Sequence, residues 1–548
     1  MLAFFHLATL VATSAELPSV HTLITLILSL LVVVVALAIV APYLKIPYPI
    51  LLVFGGLLLG FVPGLPQFTL NPDLIFLLFL PPLLYSSAWT TSWRDFHANL
   101  RPISLLAIGL VLFTTILVAI VAHAIVPGLP WAAAFVLGAI ISPTDAVAAT
   151  SIAQRLGVPR RIVTIIEGES LVNDASGLVV YQFAIAAVVT GTFSLASASL
   201  QFVVNSVGGI LIGLAIGLIL TQVHRFLNNP PLEITITLLT PFAAYLIADG
   251  LHVSGVLATV TAGLYLAWRA PVLFSADTRQ QALAVWNNLV FLLNGLVFIF
   301  IGLQLRGILN ALQVTQRTVV SLLWYATIVC ITTIVVRVLW VFPATYLPRL
   351  LSRRVRKRDP HPGWRNIVVI AWTGMRGVVS LAAAFALPQV TQSGAPFPDR
   401  ALILFLTFCV IFVTLVLQGL SLPFLIHRLG LKDDGVAERE EANARQTTAQ
   451  AALTRINELI EQGNVPKEAA EHLRTHYEVR VKSIMDASDG VEHTQNENHL
   501  ATYQYLQQQT LKAEQDAAIS LRSQGAISDE VFRRVERELD LDEQRLEG

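Results

Sequence analysis

Charged residues are scarce in this sequence. Of the 548 residues, 13% are Asp, Glu, Lys or Arg, whereas soluble domains contain about 25%. Apolar residues make up 55% of the chain, and its mean hydropathy is +0.67. The scarcity of charge together with the abundance of apolar residues excludes a water-soluble globular protein and an intrinsically disordered chain.

Cysteine is almost absent as well. The two cysteines, Cys330 and Cys409, both lie in apolar runs, which excludes a disulfide scaffold and predicts no resident metal site. The sequence has no His-Glu-x-x-His motif and no Gly-x-Ser-x-Gly motif. We therefore expect no enzymatic activity, no cofactor and no nucleic-acid partner.

The charges that do occur are divided unevenly along the chain. Residues 1–427 hold 21 basic and 12 acidic residues, whereas residues 428–548 hold 15 and 24. This asymmetry predicts a transmembrane domain over 20–427 and an acidic, helical cytoplasmic domain over 428–548. Residues 1–19 are interpreted as a short extracytoplasmic segment rather than a cleaved signal peptide, because no basic residue precedes their apolar stretch. The tail is either a helical cap or a regulatory sensor, and its charge suggests docking on the basic loop 349–365.

Long apolar runs dominate the first part of the chain. A helix needs about 20 apolar residues to cross a bilayer. Thirteen candidate spans lie at 20–43, 47–65, 72–89, 102–127, 131–154, 162–190, 201–223, 232–250, 253–268, 285–304, 319–345, 366–388 and 401–426. Alternate loops between them carry 16 Lys or Arg residues, and the remaining loops carry 3. Since basic loops stay in the cytoplasm, the N-terminus is predicted outside the cell and the C-terminus inside.

Six ionisable residues lie inside the predicted spans, where charge is costly and usually functional. They are Asp145, Glu167, Glu169, Asp174, Arg337 and Arg376. Four of these, on four different spans, lie 10 to 13 residues from a basic residue at the predicted cytoplasmic edge. That spacing is roughly 15–20 Å along a helix, near the middle of the bilayer. The pattern predicts an ion pathway; the alternative is a buried ion-pair network that only fixes helix packing.

Two of the predicted spans are interrupted next to these charges. Pro143 precedes Asp145 in the fifth span, and Gly374 and Gly377 flank Arg376 in the twelfth. Proline removes a backbone donor and glycine weakens a helix. The two interrupted spans are seven apart, so spans one to six and eight to thirteen form an inverted repeat. Interrupted helices at matching positions of inverted halves indicate a transporter binding site.

The sixth span carries oxygen ligands at helical spacing. Ser170 and Asp174 are four residues apart and share one helix face, while Glu169 and Asn173 share the adjoining face. Carboxylate and hydroxyl oxygens are the donors that hard cations take. We therefore predict that a small cation binds at Ser170 and Asp174. Glu167 lies closer to the cytoplasmic end and is expected in the vestibule.

Four motifs carry a resemblance to a known family. They are Ser142-Pro-Thr-Asp-Ala-Val147, Glu167-Gly-Glu-Ser-Leu-Val-Asn-Asp174, Arg337-Val-Leu and Gly374-Met-Arg-Gly377. In this order, they make residues 20–427 resemble the cation:proton antiporter-1 family, which includes NhaP-type bacterial antiporters and animal sodium/proton exchangers. The resemblance is closest to the bacterial branch. It implies an all-α polytopic membrane fold with thirteen transmembrane helices, a dimerisation domain, a mobile core domain and two crossed broken helices.

The resemblance also implies an activity. Family members exchange a monovalent cation for H⁺ across the cell membrane by alternating access, and so serve pH and sodium homeostasis. For this chain the expected cation is Na⁺. The expected partners are the transported Na⁺, K⁺ or Li⁺, the proton, the lipid bilayer and a second copy of the chain. A K⁺/H⁺ antiporter is the alternative reading. A cation channel is the alternative of a different class, but the midplane charges form neither a ring nor a carbonyl filter.

The resemblance assigns roles to single residues of the cation site. Asp174 would bind the cation or the proton in turn, and Thr144, Asp145 and Ser170 would complete the site. Asn173 takes the first position of an Asn-Asp pair, which in this family accompanies electroneutral one-for-one exchange.

Further residues would support that site. Glu169 would pair with Arg337, and Arg376 would support the crossed helices. Many relatives carry a glutamate after a Pro-Pro pair on the third span, where this chain has Ser86. The number of cation ligands and the preferred ion are therefore open, with Ser86 and Glu167 as accessory candidates.

Overall fold

The computed structural model is built from helices. It describes residues 20–62, 77–191, 195–227, 229–312, 317–353, 356, 363–392, 394–431, 435–462, 466–488 and 494–524, with 526, 528, 531–532, 535–536 and 539. Among these residues, the one β-bridge joins Val390 to Pro396. The predicted segment 1–19 lies outside the described residues, as does part of the basic loop 349–365.

Sixteen helices of the described part precede the tail. They are α1 Val20–Leu44, α2 Tyr48–Gly60, α3 Leu80–Thr90, α4 Trp93–Ala98, α5 Leu100–Ile125, α6 Trp131–Ile141, α7 Val147–Arg155, α8 Arg160–Thr190, α9 Leu195–Arg225, α10 Pro230–Gly250, α11 Gly255–Leu273, α12 Ala276–Leu312, α13 Val319–Leu351, α14 Trp364–Trp372, α15 Val378–Phe385 and α16 Arg400–Leu429.

Each predicted span overlaps one helix or a pair of short helices, and residues 63–65 of the second span and 72–76 of the third lie outside the described residues. Nine of the described helices are long and apolar enough to cross a membrane, and α2 and α6 are shorter apolar helices. The fifth predicted span is the pair α6 and α7, and the twelfth is the pair α14 and α15. Both predicted interruptions are therefore present. That all thirteen segments cross a membrane stays a prediction.

The helices pack in two groups. In the first group α2 packs on α1 and α12, and α11 packs on α3, α9 and α10. In the second, α6 packs on α5 and α8, while α13 and α16 enclose α14 and α15. The second group contains both broken helix pairs. The groups meet where α8 contacts α3 and α11, and where α16 contacts α12.

The chain divides into two compact units, Met1–Asp433 and Asp434–Gly548. The second unit contains α17 Val436–Glu461, α18 Lys467–Ser488 and α19 Thr494–Ser523. The helices of this unit agree with the helical pattern of the acidic tail. Its start lies a few residues beyond the boundary predicted between 427 and 428, because α16 continues to Leu429.

Candidate functional site

The two helix breaks touch each other. The backbone N–H of Asp145, in the break between α6 and α7, donates to the carbonyl oxygen of Met375, in the break between α14 and α15, at 2.8 Å. A Cβ on Gly377 would lie 1.9 Å from Oδ2 of Asp145. Only glycine fits there, so the crossing depends on this residue.

Asp145 lies at the start of both second half-helices. Its Oδ1 accepts the backbone N–H of Val147 at 2.8 Å, and its carboxylate also accepts the backbone N–H of Val378. These are the first residues of α7 and α15. Helix N-termini carry partial positive charge, so one carboxylate offsets two helix dipoles.

Arg376 has the matching position at the ends of the first half-helices. The buried guanidinium donates from Nε to the carbonyl oxygen of Ile141 at 3.0 Å, and from Nη1 to that of Gly374. Ile141 is the last residue of α6, and Gly374 follows the end of α14. Because helix C-termini carry partial negative charge, the arginine stabilises both. The backbone N–H of Arg376 also donates to Oγ1 of Thr414 at 3.2 Å.

Glu169 of α8 and Arg337 of α13 form a buried ion pair. Arg337 donates from Nη1 and Nη2 to the two carboxylate oxygens at 2.5 and 2.8 Å. Its Nε and Nη2 also donate to the carbonyl oxygen of Ile370 at 3.1 and 3.0 Å. The two side chains are 1% and 0% exposed. The ion pair therefore joins α8 to α13, and the guanidinium joins both helices to α14.

Thr144 and Asn173 extend this network. Nδ2 of Asn173 donates to Oγ1 of Thr144 at 2.7 Å, and Oγ1 of Thr144 donates to Oε1 of Glu169 at 2.9 Å. The structure therefore places Asn173 against the ion pair, whereas the sequence grouped it with the cation ligands. Its position makes it a support for Thr144.

A cavity of about 330 Å³ adjoins the crossing. The predicted site residues that line it are Ser86, Thr144, Asp145, Glu167, Ser170 and Asp174. Asn173, Glu169, Arg337 and Arg376 are not among its lining residues. Ser170 Oγ accepts the backbone N–H of Ala146 at 3.2 Å, so this hydroxyl is fixed beside the break.

Asp174 differs from the other acids of the site. It lines the cavity and is 7% exposed. Within the described residues its carboxylate accepts no hydrogen bond and forms no salt bridge, whereas Asp145 and Glu169 are each fixed by at least two donors. Glu167 also lines the cavity without a described donor, but it is half-buried, so Asp174 is the buried carboxylate that is available to a ligand.

The cavity extends from the crossing towards one side of the molecule. Its lining includes Thr90, Gln154 and Asn287, which lie near the loops that carry most of the basic residues. Beyond the crossing, the phenol of Tyr181 donates to the carbonyl oxygen of Ala383 at 2.6 Å, so α8 and α15 are fastened together there. The lining of the cavity therefore extends from the crossing to the last turns of α3 and α7.

Several lining residues were not predicted, among them Tyr48, Asn294 and Ser380. Tyr48 of α2 lies within electrostatic range of Asp145 and is hydrogen-bonded to the side chain of Asn294 of α12. The Oδ1 of Asn294 and the Oγ of Ser380 are buried and have no hydrogen-bond partner among the described residues. The sequence signal available for Asn294 was a single amide inside the otherwise apolar segment 289–303. No sequence signal separates Ser380 from the other small residues of its helix.

Comparisons with known proteins show the family and the fold of this chain. The family model described as sodium/hydrogen exchanger, transmembrane, matches residues 26–428. The chain is 37% identical over 504 residues to an uncharacterised Na⁺/H⁺ exchanger of Mycobacterium tuberculosis, covering 91% of each chain. It is 34% identical over 496 residues to the sodium, potassium, lithium and rubidium/H⁺ antiporter of Bacillus subtilis, covering 88% of this chain and 72% of that one. The structure of the sodium proton antiporter MjNhaP1 of Methanocaldococcus jannaschii at pH 8 matches with a TM-score of 0.57 and 20% identity, covering 73% of this chain and all of that one.

Proposed function

The chain belongs to the sodium/hydrogen exchanger family, and from this premise we propose that it exchanges a monovalent cation for a proton across a membrane. The family match covers both helix groups and all four sequence motifs. The relatives above 30% identity that match nearly the whole chain are named as exchangers or antiporters. A transporter, rather than an enzyme, is the class that these matches support.

The observation that carries the proposal is the state of Asp174. A carboxylate shielded from water is disfavoured when it is bare, and this one is buried beside a cavity with no described hydrogen-bond donor. A proton or a cation can satisfy it, but both cannot bind at once. Competition for one carboxylate is sufficient to couple the two fluxes.

The charge balance of the site supports electroneutral one-for-one exchange. Asp174 is the group at which the two ions compete, whereas Asp145 and Glu169 are held by fixed donors. A proton and a monovalent cation each add one positive charge at Asp174. The site therefore has the same charge in both loaded forms.

Alternating access follows from the two helix groups. The group with the broken helices carries Asp174, and the cavity wall opposite is formed by Ser86 of α3 and Asn294 of α12 in the other group. We propose that one group moves against the other and exposes Asp174 to each side in turn. The helix groups do not move while the site is empty, because carrying an unpaired buried charge through the protein costs free energy.

Sodium is the proposed principal ion. The oxygens offered by Asp174, Ser170 and Thr144 are hard donors suited to a small cation. Potassium is the alternative, because Ser86 contributes no second carboxylate from α3 and because the Bacillus subtilis relative is named for four cations.

We further propose a cell-membrane location with the N-terminus outside and the acidic tail in the cytoplasm, as the loop charges indicate. In this arrangement the exchanger would serve pH and sodium homeostasis. A homodimer is also proposed, following the family resemblance. In support, little of two helices is buried within one chain, namely 17% of the apolar stretch of α1 and 22% of that of α9. The exposed surfaces of α1 and α9 can therefore contact lipid or a second copy of the chain.

The experiment that tests the function uses purified protein in sealed vesicles with an imposed pH gradient and a pH-sensitive dye. Addition of Na⁺, K⁺ or Li⁺ should collapse the gradient, with the same rate whether or not the membrane voltage is clamped. Asp174→Asn should reduce this response to that of empty vesicles, since an amide cannot bind either ion. Asp249→Asn, the same change at an exposed position at the end of α10, should leave it intact.

Two results would contradict the proposal. Exchange that persists in folded Asp174→Asn protein would remove this carboxylate from the mechanism. A cation flux that does not saturate and does not move protons would indicate the rival class, a channel.

A further inference from the structure

A buried histidine and a buried glutamate lie near each other, away from the cation site. His224 is in the last turn of α9, and Glu233 is in the first turn of α10. The two residues are 1% and 3% exposed, and the charge of Glu233 acts on the imidazole of His224. Neither is among the described residues that line the cavity of Asp174. They are therefore a titratable pair that the exchange mechanism does not use.

The polar atoms of this pair are not satisfied where they are buried. Nδ1 and Nε2 of His224 and Oε2 of Glu233 have no hydrogen-bond partner among the described residues, and burying such atoms costs free energy. When the neutral imidazole takes up a proton from water, the imidazolium that forms is attracted by the carboxylate of Glu233. Burial opposes a single charge, so binding of the proton depends on this carboxylate.

Glu233 is the ionisable neighbour that matters for His224. The end of α9 packs on α10 and α11, and the start of α12 follows α11 directly. The other ionisable residues of these elements are Arg225, Tyr245, Asp249, Tyr265, Arg269, Asp277 and Arg279. Arg225 is exposed, and Arg279 donates to the carbonyl oxygen of Phe274 at 2.5 Å. Glu233 is the one whose charge acts on His224.

An aromatic chain leads from His224 towards the transport cavity. The ring of His224 lies 4.8 Å from that of Phe274, edge to face, and Phe274 lies 5.8 Å from Trp89 of α3. Trp89 lies 5.9 Å from Tyr85, and Tyr85 lies 5.2 Å from Trp286 of α12. All four distances join ring centroids. Consecutive rings at these separations are in packing contact.

The far end of the aromatic chain adjoins the cavity wall. Tyr85 directly precedes Ser86, and Trp286 directly precedes Asn287; both Ser86 and Asn287 line the cavity. Nε1 of Trp286 also donates to Oγ1 of Thr237 of α10 at 3.2 Å. The helices that carry the titratable pair are thus packed against the two helices that form the wall opposite Asp174.

We propose that His224 and Glu233 form a second proton-binding site, distinct from Asp174, and that its occupancy sets the rate of exchange through the aromatic chain. Packed side chains carry coupling between two sites when both sites bias their arrangement. The effect on the rate rests on the proposed exchange function. Binding of the proton and its effect on the aromatic chain do not.

The first test follows the twelve histidine imidazoles by NMR of ¹³C-labelled protein in detergent micelles. The signal that is missing from His224→Gln belongs to His224, and we expect it to shift within about pH 5 to 8 in wild type. In Glu233→Gln the same change should occur about one pH unit lower, because an amide does not attract the imidazolium. His427→Gln, a change at an exposed histidine near the end of α16, should leave the His224 signal unaltered.

A second signal tests the connection to the cavity wall. The indole N–H resonance of Trp286, identified by its loss in Trp286→Phe, should shift at the same pH as His224. It should no longer shift there in His224→Gln. A histidine that only packs would not produce this linked change. Glu233→Gln keeps the imidazole and covers the case in which His224→Gln fails to fold, since both signals should then move together to lower pH.

The vesicle assay then measures the exchange rate against pH. His224→Gln should remove a several-fold change in rate over the range in which His224 titrates, while the KM for Na⁺ stays constant because Asp174 is intact. A His224 signal that stays constant over about pH 5 to 8 would overturn the proton site. A constant Trp286 signal, or an unchanged dependence of rate on pH, would overturn the coupling. Wild type without any exchange would instead contradict the proposed function, and the NMR shifts would still decide on the proton site.

Discussion

Replacing one partner of the Glu169–Arg337 ion pair should destabilise the protein strongly. In Glu169→Gln, the guanidinium of Arg337 remains charged at 0% exposure and loses two bonds of 2.5 and 2.8 Å to a carboxylate. Removing one partner of a buried pair costs about 3–5 kcal/mol, mostly because a charge is left uncompensated. Arg337→Gln should cost a similar amount, since it leaves the carboxylate of Glu169 buried with Thr144 as its remaining donor.

The double variant separates charge from packing. Glu169→Gln/Arg337→Gln removes both charges, so its loss should be smaller than the sum of the single losses by about 1–3 kcal/mol. The measurement is the free energy of unfolding in mixed micelles titrated with a denaturing detergent. The matched control is the pair of Arg160 on α8 with Asp95 on α4, whose side chains are 59% and 33% exposed. Its disruption should cost about 1 kcal/mol or less. Additive losses at Glu169 and Arg337 would refute the reasoning, because they would show that the two charges do not compensate each other.

Two further variants test the crossing. Gly377→Ala should abolish exchange in the vesicle assay, because its Cβ would lie 1.9 Å from the carboxylate of Asp145. Gly363→Ala is the control and should leave exchange unchanged, because no atom lies within 4 Å of its Cβ. Normal exchange by Gly377→Ala would show that the two helix breaks can separate. Tyr181→Phe removes the 2.6 Å hydrogen bond to the carbonyl oxygen of Ala383. It should change the exchange rate several-fold while the cation affinity stays constant. A change in affinity alone would contradict a role for this bond in holding α8 and α15 together beyond the crossing.

Much of this arrangement follows from local sequence. Proline before Asp145 and glycines around Arg376 predict where two helices stop, because the backbone chemistry of these residues acts within one turn. The four-residue spacing of Ser170 and Asp174 predicts a shared face for the same reason, and both line the cavity. Features that depend on a few neighbouring residues are therefore readable without the fold.

The remainder depends on which helices meet. Asn173 is adjacent to Asp174 in the chain, yet it turns to Thr144 and the ion pair because a helix separates neighbouring side chains by about 100°. Asn294 joins the cavity from a helix that begins more than 100 residues after Asp174. A second cavity, which Arg101, Arg161 and Arg349 line, likewise combines residues of α5, α8, α13 and α14. No period or motif specifies such distant contacts, and packing decides them.

The distribution of fixed charge supports the proposal that one carboxylate, Asp174, is the exchange site. Asp145 offsets the N-terminal ends of α7 and α15, and Arg376 offsets the C-terminal ends of α6 and α14, so the four helix ends at the crossing are balanced whether or not an ion is bound. Glu169 and Arg337 balance each other. Asp174 lies on the uninterrupted helix α8, away from these ends. A proton or a cation that binds there therefore changes the charge of the site by one unit without disturbing the groups that hold the crossing together.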